Sequence, residues 1–318
     1  METILIIGGT GSLGNSLINR LKNIYKIIIY SRDENKQWAL RRMYPFITFI
    51  LGDIRDKDHF ERILLRYKPN KVIIAAALKH IDMCEYNIDE CIRTNIIGVQ
   101  NVLNAITENS MRNLLPMLDT VVFISTDKAT SPVNVYGMCK SICERMMAEK
   151  SYYLPSPKFV SVRYGNVLRS RGSLIPLFHE IGQDPEKKFF PITDEKMTRF
   201  FMRLDQSIDL ILQAIKDGES GDTYIPRIES YRIMDIATAF SEHYKKPIQV
   251  MGVRPGEKMH ECLINESERH RTVQKDNVYV IKPCYANIQG KVDFEHEYTS
   301  ASILCTDMNR IKNVIELE

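Results

Sequence analysis

Short apolar runs at 4–7, 26–30, 46–51, 71–75, 120–125 and 159–163 recur through the first half of the chain, separated by polar-apolar segments of helical length. The runs are rich in Ile and Val and lack strict alternation, which suits strands covered on both faces. Each predicts a β-strand, and their alternation with helical segments predicts an α/β fold with a doubly wound parallel sheet. Ligands of such sheets sit beyond the carboxyl ends of the strands, so the residues following each run are the first candidates for chemistry. After about Tyr164 the rhythm breaks into shorter pieces punctuated by residues such as Gly165, Gly172, Pro176, Pro191, Gly218, Pro226, Pro255 and Gly256. This predicts a smaller mixed α/β lobe that closes over the sheet and holds a substrate. The final stretch is polar and predicts a partly extended surface segment.

Composition narrows the class without choosing a ligand. With 318 residues, 44% of them hydrophobic and 26% charged, the chain has the make-up of a globular protein. A formal charge of +3 is small for that length and leaves no electrostatic footprint for nucleic acid. The first residues read as a strand ending in glycines rather than as a leader peptide. No window approaches the roughly 18 uninterrupted apolar residues of a membrane helix, so no membrane is expected and a cytoplasmic location follows by default. Seven cysteines, an odd number without a CxxC pair, predict reduced thiols packed as small apolar groups. Seven scattered histidines without HExxH spacing predict no metal site.

The first run leads directly into Gly8-Gly-Thr10-Gly11-Ser12-Leu13-Gly14 and then a helical pattern. Glycines at 8, 11 and 14 permit a tight turn and close approach of backbone to a pyrophosphate, which then rests on the free amides at the helix start. The strand-loop-helix context makes this a dinucleotide site of the Rossmann type over 1–165, with 166–318 mainly binding substrate and some of its segments returning to the first domain. At the end of the second run an acid would select NAD through its ribose hydroxyls. The chain has Ser31 and Arg32 there, a hydroxyl and a planar guanidinium suited to the 2′-phosphate of NADP, with Lys36 adding charge. Asp53 and Ile54 follow the third run and are placed to meet the adenine; Ala75, Ala76 and Ala77 follow the fourth and can line the ribose and nicotinamide.

The fifth run ends in Ser125-Thr126-Asp127-Lys128, and a helical segment then carries Tyr136 and Lys140. Four residues apart, the tyrosine and lysine share a helix face, where an ammonium would lower the phenol's pKa from about 10 and let it accept a proton from a sugar hydroxyl. With these strings on the page, the chain resembles the extended short-chain dehydrogenase/reductases, and within them the soluble, inverting UDP-N-acetylglucosamine 4,6-dehydratases. The resemblance runs from about residue 2 to about residue 283 and also rests on Ala-Ala-Leu78-Lys79-His80, Arg163-Tyr-Gly-Asn166-Val, Ser170-Arg171-Gly-Ser173, Met197-Thr198-Arg199-Phe200 and Arg254-Pro-Gly-Glu257-Lys258.

The resemblance implies a lyase that oxidises carbon 4 of the hexose, removes the proton on carbon 5, expels the carbon 6 hydroxyl as water and returns the hydride to carbon 6. It assigns Tyr136 as acceptor of the oxygen 4 proton, Lys128 as base at carbon 5, Asp127 as acid at oxygen 6, Thr126 as a hydrogen bond to oxygen 4, and Lys140 as the holder of the nicotinamide ribose. Asp127 must then be protonated and Lys128 neutral, which requires a desolvated pocket. Arg254 and Glu257 are expected on the uridine diphosphate, and Lys79, His80, Asn166, Arg171 and Thr198 around the sugar. Retaining, membrane-anchored relatives generally carry methionine where this chain has Tyr136, as does another inverting branch. Relatives assemble with themselves, so a homo-oligomer is expected. Three other readings stand beside this one: a nucleotide-sugar 4-epimerase, which shares the glycine loop and the Thr-Tyr-Lys set but runs no elimination, a 4,6-dehydratase of another nucleotide hexose, and a silent NADP-binding sensor or scaffold.

Overall fold

A computed structural model describes residues 1–168, 170 and 172–315. The chain begins β1 (Thr3–Ile7), α1 (Ser12–Leu21), β2 (Lys26–Ser31), α2 (Glu34–Met43), β3 (Thr48–Leu51), α3 (Lys57–Tyr67) and β4 (Lys71–Ile74). It continues through α4 (Ile81–Tyr86), α5 (Ile88–Ile92), a π turn (Arg93–Ile97), α6 (Gly98–Met111), β5 (Thr120–Ile124), a 3₁₀ turn (Asp127–Ala129), α7 (Val135–Tyr153) and β6 (Lys158–Val162). Then come β7 (Asn166–Val167), α8 (Leu174–Gln183), β8 (Phe190–Ile192), β9 (Thr198–Met202), α9 (Leu204–Asp217), β10 (Thr223–Pro226) and β11 (Ser230–Arg232). The remainder is α10 (Ile233–Tyr244), β12 (Ile248–Val250), β13 (Cys262–Ile264), α11 (Glu266–Arg269), β14 (Thr272–Lys275), β15 (Val278–Ile281), β16 (Tyr298–Thr299) and α12 (Met308–Ile315).

All six predicted strands form, and each joins one sheet in the order β14-β15-β10-β6-β5-β4-β1-β2-β3. From β3 to β10 neighbours run parallel, whereas β15 pairs antiparallel with β10 and β14 with β15. The reversal beside β1, where the chain crosses from β3 to β4, opens the crevice in which such sheets bind ligands. The third run starts two residues late as a strand, because Phe46 lies exposed beside Tyr44 while the β2 ladder begins at Thr48.

One apolar core on each face of the sheet explains the unalternating strand sequences. Ile4, Ile6, Ile27 and Ile29 point to the face covered by α1 and α9, and Leu5, Ile7, Ile28 and Tyr30 to the face covered by α3 and α6. The later part of the chain adds a third core, built from Phe178, Phe190, Ile236 and Phe240. Here the polar C-terminal stretch departs from its expected extended form. Ile311 and Ile315 of α12 are buried in that third core because Met308, Ile311 and Ile315 recur at helical spacing, and an amphipathic helix needs only one such stripe to dock. Among the described residues no helix is long and apolar enough to cross a membrane, and no cluster of three or more His, Cys, Asp or Glu side chains could hold a metal.

Candidate active site

The loop after β1 makes each glycine necessary for a different reason. Gly8 has a left-handed φ of +84°, and a Cβ on it would lie 2.6 Å from the Ala76 amide nitrogen, so the β1 and β4 loops touch only because it has none. A Cβ at Gly14 would sit 2.1 Å from the Gly9 carbonyl, where α1 meets its own entry loop. Gly11 is the opposite case: the nearest atom is the Gly8 carbonyl, 3.7 Å from where its Cβ would be. Open space therefore lies before the uncapped start of α1, whose amides and dipole suit an anion. Ser12 opens α1, Thr10 is buried beside it, and Leu13 packs on the core face.

At the end of β2, Ser31 is buried and its hydroxyl accepts from Gln37 Nε2 at 2.9 Å, a partner the sequence reading did not supply. Arg32 is half exposed, its nearest charge Asp53 at 3.7 Å. Lys36 is tied to Asp33, the cap of α2, so it offers less free charge than its spacing suggested. Asp53 is itself taken by Arg55, through Nη2 at 2.7 Å and Nε at 3.0 Å, and these bonds outweigh partial burial to hold its carboxyl below the usual range. Ile54 turns its side chain into the core against Gly98. Ala75 and Ala76 pack one into each core, and the segment after Ala77 is clamped by buried Asn95, whose amide both donates to and accepts from the Leu78 backbone at 2.8 Å. Lys79 is exposed, yet the protein around it desolvates its ammonium enough to depress its pKa, and His80 caps α4 with its ring against Gly172.

The centre of the site is the turn after β5. Asp127 is zipped to β6 through its amide, which donates to the Tyr164 carbonyl at 3.0 Å. Gly137 in the first turn of α7 packs so closely on this segment that a Cβ there would meet the Lys128 carbonyl at 2.2 Å. Thr126, Asp127, Tyr136 and Lys140 are consequently all buried. The Lys128 ammonium donates to Asp127 Oδ1 at 3.0 Å and to Asn166 Oδ1 at 3.4 Å, and Thr126 Oγ1 donates to Asp127 Oδ1 at 3.0 Å. A third group faces Lys128 that the sequence did not reveal: Glu261 Oε1, 3.3 Å away, itself 3.7 Å from Arg199 Nε.

Titration behaviour corrects two expectations and keeps one. Burial and the Glu261 charge raise the Asp127 pKa against the pull of Lys128, in the direction an acid requires. Lys128 does not meet the expectation of a neutral amine: burial alone would lower its pKa, but the Asp127 and Glu261 carboxylates more than offset that and hold it as an ammonium. Tyr136 is not lowered by Lys140. Burial pushes the phenol up to about 12, and the opposing influences are Lys128 and the Thr126 hydroxyl. Lys140 is turned away, donating to the Ile124 carbonyl at 2.6 Å and lying 4.4 Å from the centre of the Phe123 ring, and burial lowers its own pKa to about 8.

Of the residues expected around a substrate, Asn166 is brought onto Lys128, while Arg254 and Glu257 face each other at 3.8 Å in a turn held to the start of α7 by the Asn134 amide donating to the Gly256 carbonyl. Thr198 departs from expectation: it is buried, and its hydroxyl is engaged by His260 Nδ1 at 2.8 Å and Ser300 Oγ at 2.7 Å, leaving its neighbour Arg199 to reach the site. Arg171 lies outside the described residues. The whole can seat an anionic dinucleotide across the loops and present a phenol, an ammonium and two carboxylates to a second ligand.

The family model described as "Polysaccharide biosynthesis protein" matches residues 4–283. A Campylobacter jejuni protein named UDP-N-acetylglucosamine 4,6-dehydratase (inverting) is 37% identical over 92% of this chain and 86% of its own length. A Rickettsia bellii protein named UDP-glucose 4-epimerase is 34% identical over 99% of this chain and 95% of its own. The X-ray structure of Pen from Bacillus thuringiensis superposes with a TM-score of 0.89 at 32% identity, covering 99% of this chain and 97% of that one.

Proposed function

The chain belongs to the polysaccharide biosynthesis protein family, and from that premise we propose that it is an NADP-dependent UDP-N-acetylglucosamine 4,6-dehydratase that inverts carbon 5. Relatives carry both dehydratase and epimerase names, so names alone do not choose. The observation that carries the reading is the buried Asp127–Lys128 pair at 3.0 Å beside Thr126 and Tyr136. A 4-epimerase moves only a hydride and the oxygen 4 proton and has no use for a second acid-base pair in a desolvated pocket.

The loop residues fit a dinucleotide, since the space before Gly11 and the start of α1, which no N-cap side chain closes, form an anion cradle. Arg32, half exposed with a long 3.7 Å contact to Asp53, supports NADP over NAD. Bound NADP supplies a hydride acceptor that afterwards serves as donor. Tyr136 takes the oxygen 4 proton, assisted by the nearby Lys128 charge, and Thr126 orients that oxygen. Asp127 and Lys128 handle the proton given to oxygen 6 and the one taken from carbon 5. Arg254 and Glu257 bind the diphosphate and its ribose once their mutual 3.8 Å contact opens. The protein works in the cytoplasm as a homo-oligomer, supported by the exposed apolar side chains Ile88, Ile92, Ile97, Met138 and Ile142 on α5–α7 and the π turn.

Incubating the purified protein with UDP-N-acetylglucosamine and following the sugar by NMR tests the reading. A 6-methyl, 4-keto product with inverted ring couplings is expected; recovery of 4-epimerised starting sugar would refute dehydration.

A further inference from the structure

Two buried ion-pair networks in this molecule differ in a way that assigns one of them to chemistry. Arg163 is held by Glu144 and Glu268, and every one of their four carboxylate oxygens receives a guanidinium hydrogen bond. That is the pattern of a structural network, because an unsatisfied buried carboxylate oxygen costs about 1–3 kcal/mol. Around Lys128 the pattern fails: Asp127 Oδ2 and Glu261 Oε2 are buried and accept no hydrogen bond from any of the described residues. Glu261 lies just before β13, is 2% exposed, and is anchored by its amide donating to Ser300 Oγ at 2.9 Å.

Resting on the dehydratase reading, we propose that Glu261 is a positioning residue for the elimination, fixing Lys128 beside Asp127 and stabilising the ammonium that Lys128 becomes on taking the carbon 5 proton. The Lys128 ammonium first passes a proton across the 3.0 Å bond to Asp127 Oδ1, giving an amine and a carboxylic acid with nothing gained or lost. The amine takes the carbon 5 proton and the C–H electron pair becomes the C5–C6 double bond. The C6–O6 bond breaks as oxygen 6 takes the Asp127 proton and leaves as water. Lys128 is again an ammonium and Asp127 a carboxylate, the arrangement Glu261 favours. The charged and titratable groups facing Lys128 are Asp127 on its own turn, Arg199 on β9, Glu261 before β13 and the Tyr136 phenol on α7, with Asn166 on β7 as a neutral acceptor.

The test is Glu261→Gln, which keeps shape and removes charge, with Glu261→Asp as the conservative partner and thermal melting to confirm the fold. In protein labelled with ¹³C at lysine Cε, the Lys128 signal, identified by its loss in Lys128→Ala, should titrate at lower pH by about one unit or more in Glu261→Gln. Product formation should fall roughly 10- to 100-fold with little change in KM, while the near-ultraviolet absorbance of reduced nicotinamide builds up because oxidation at carbon 4 is spared. Glu261→Asp should restore part of both. An unchanged Lys128 titration, or dehydration at the parent rate, overturns the assignment. If the parent protein instead epimerises the sugar, the dehydratase reading falls, and the lysine titration, which needs no substrate, still decides whether Glu261 governs Lys128.

Discussion

Tyr136 and Lys140 stand one helical turn apart on α7, the spacing at which an ammonium ordinarily steadies a phenolate, yet in the folded protein burial dominates and the phenol rises to about 12. Lys128, reaching in from the preceding turn, is the cation that opposes this. Tyr136 is therefore a neutral phenol at pH 7, and it can take up the oxygen 4 proton only after its own phenol proton has left. Tyr136→Phe should melt within a few degrees of the parent but show neither product by NMR nor absorbance of reduced nicotinamide; turnover above roughly one hundredth of the parent's would place the first base elsewhere. Lys128→Ala is a less selective probe than it first seems, since it strips a charge from both the phenol and the carboxyl acid. Arg32 supports a second prediction at this scale. Its guanidinium is held by a long 3.7 Å contact to Asp53 that a phosphate can displace, so Arg32→Asp should cost NADP roughly 10-fold or more in Kd and favour NAD, measured by titration calorimetry.

Elements, rather than single side chains, decide where these groups stand. The turn carrying Asp127 and Lys128 is gripped by β6 through the Tyr164 carbonyl and by α7 through Gly137, so the site inherits the register of the β5–β6 ladder. The π turn between α5 and α6 presents Asn95 to both backbone groups of Leu78, fixing the loop after β4 opposite the glycine loop. An irregular helical turn at such a place is common near functional sites. Arg163, at the end of β6, ties α7 to α11 and to the Leu263 carbonyl of β13, two residues after Glu261. Arg163→Met leaves buried Glu144 without its partner and Glu268 with Arg271 at 3.9 Å, and should lower unfolding stability by about 3–5 kcal/mol in urea titrations. Arg163→Met with Glu144→Gln and Glu268→Gln together should recover part of that loss, because the uncompensated charges, not the missing cation, carry the cost.

At the scale of the whole molecule, α5, the π turn and α7 leave Ile88, Ile92, Ile97, Met138 and Ile142 in solvent although the sheet behind them is covered. If this surface joins copies of the chain, Ile92→Glu with Ile142→Glu should shift sedimentation toward the monomer while the melting of the subunit core stays close to the parent's; an unaltered sedimentation profile would remove this face from the interface. The fold was legible in the chain because burial on both faces forces continuous apolar strands, and the glycine loop because Gly8 and Gly14 occupy places where a Cβ cannot fit. The clustering of Thr126, Asp127, Lys128 and Tyr136 was legible for the same local reason, being set by a strand end and the first turn of the next helix, whereas Lys140 on the same helix turns to the Ile124 carbonyl. The docking of α12 escaped because four apolar residues, Met308, Ile311, Val314 and Ile315, in a polar segment are a weak signal until a core exists to receive them. Glu261 and Asn95 escaped because their partners are distant in sequence, Lys128 lying 133 positions before Glu261, whereas Gln37 lies six residues from Ser31 and meets it only because α2 folds back on the end of β2. Thr198 misled, since nothing near it in sequence shows that His260 and Ser300 claim its hydroxyl. Sequence by itself determined which groups the strand ends offer. Charge state was decided only by the tertiary structure, because desolvation and long-range carboxylates together make Lys128 an ammonium and Tyr136 a phenol, and neither influence is encoded in the residues beside them.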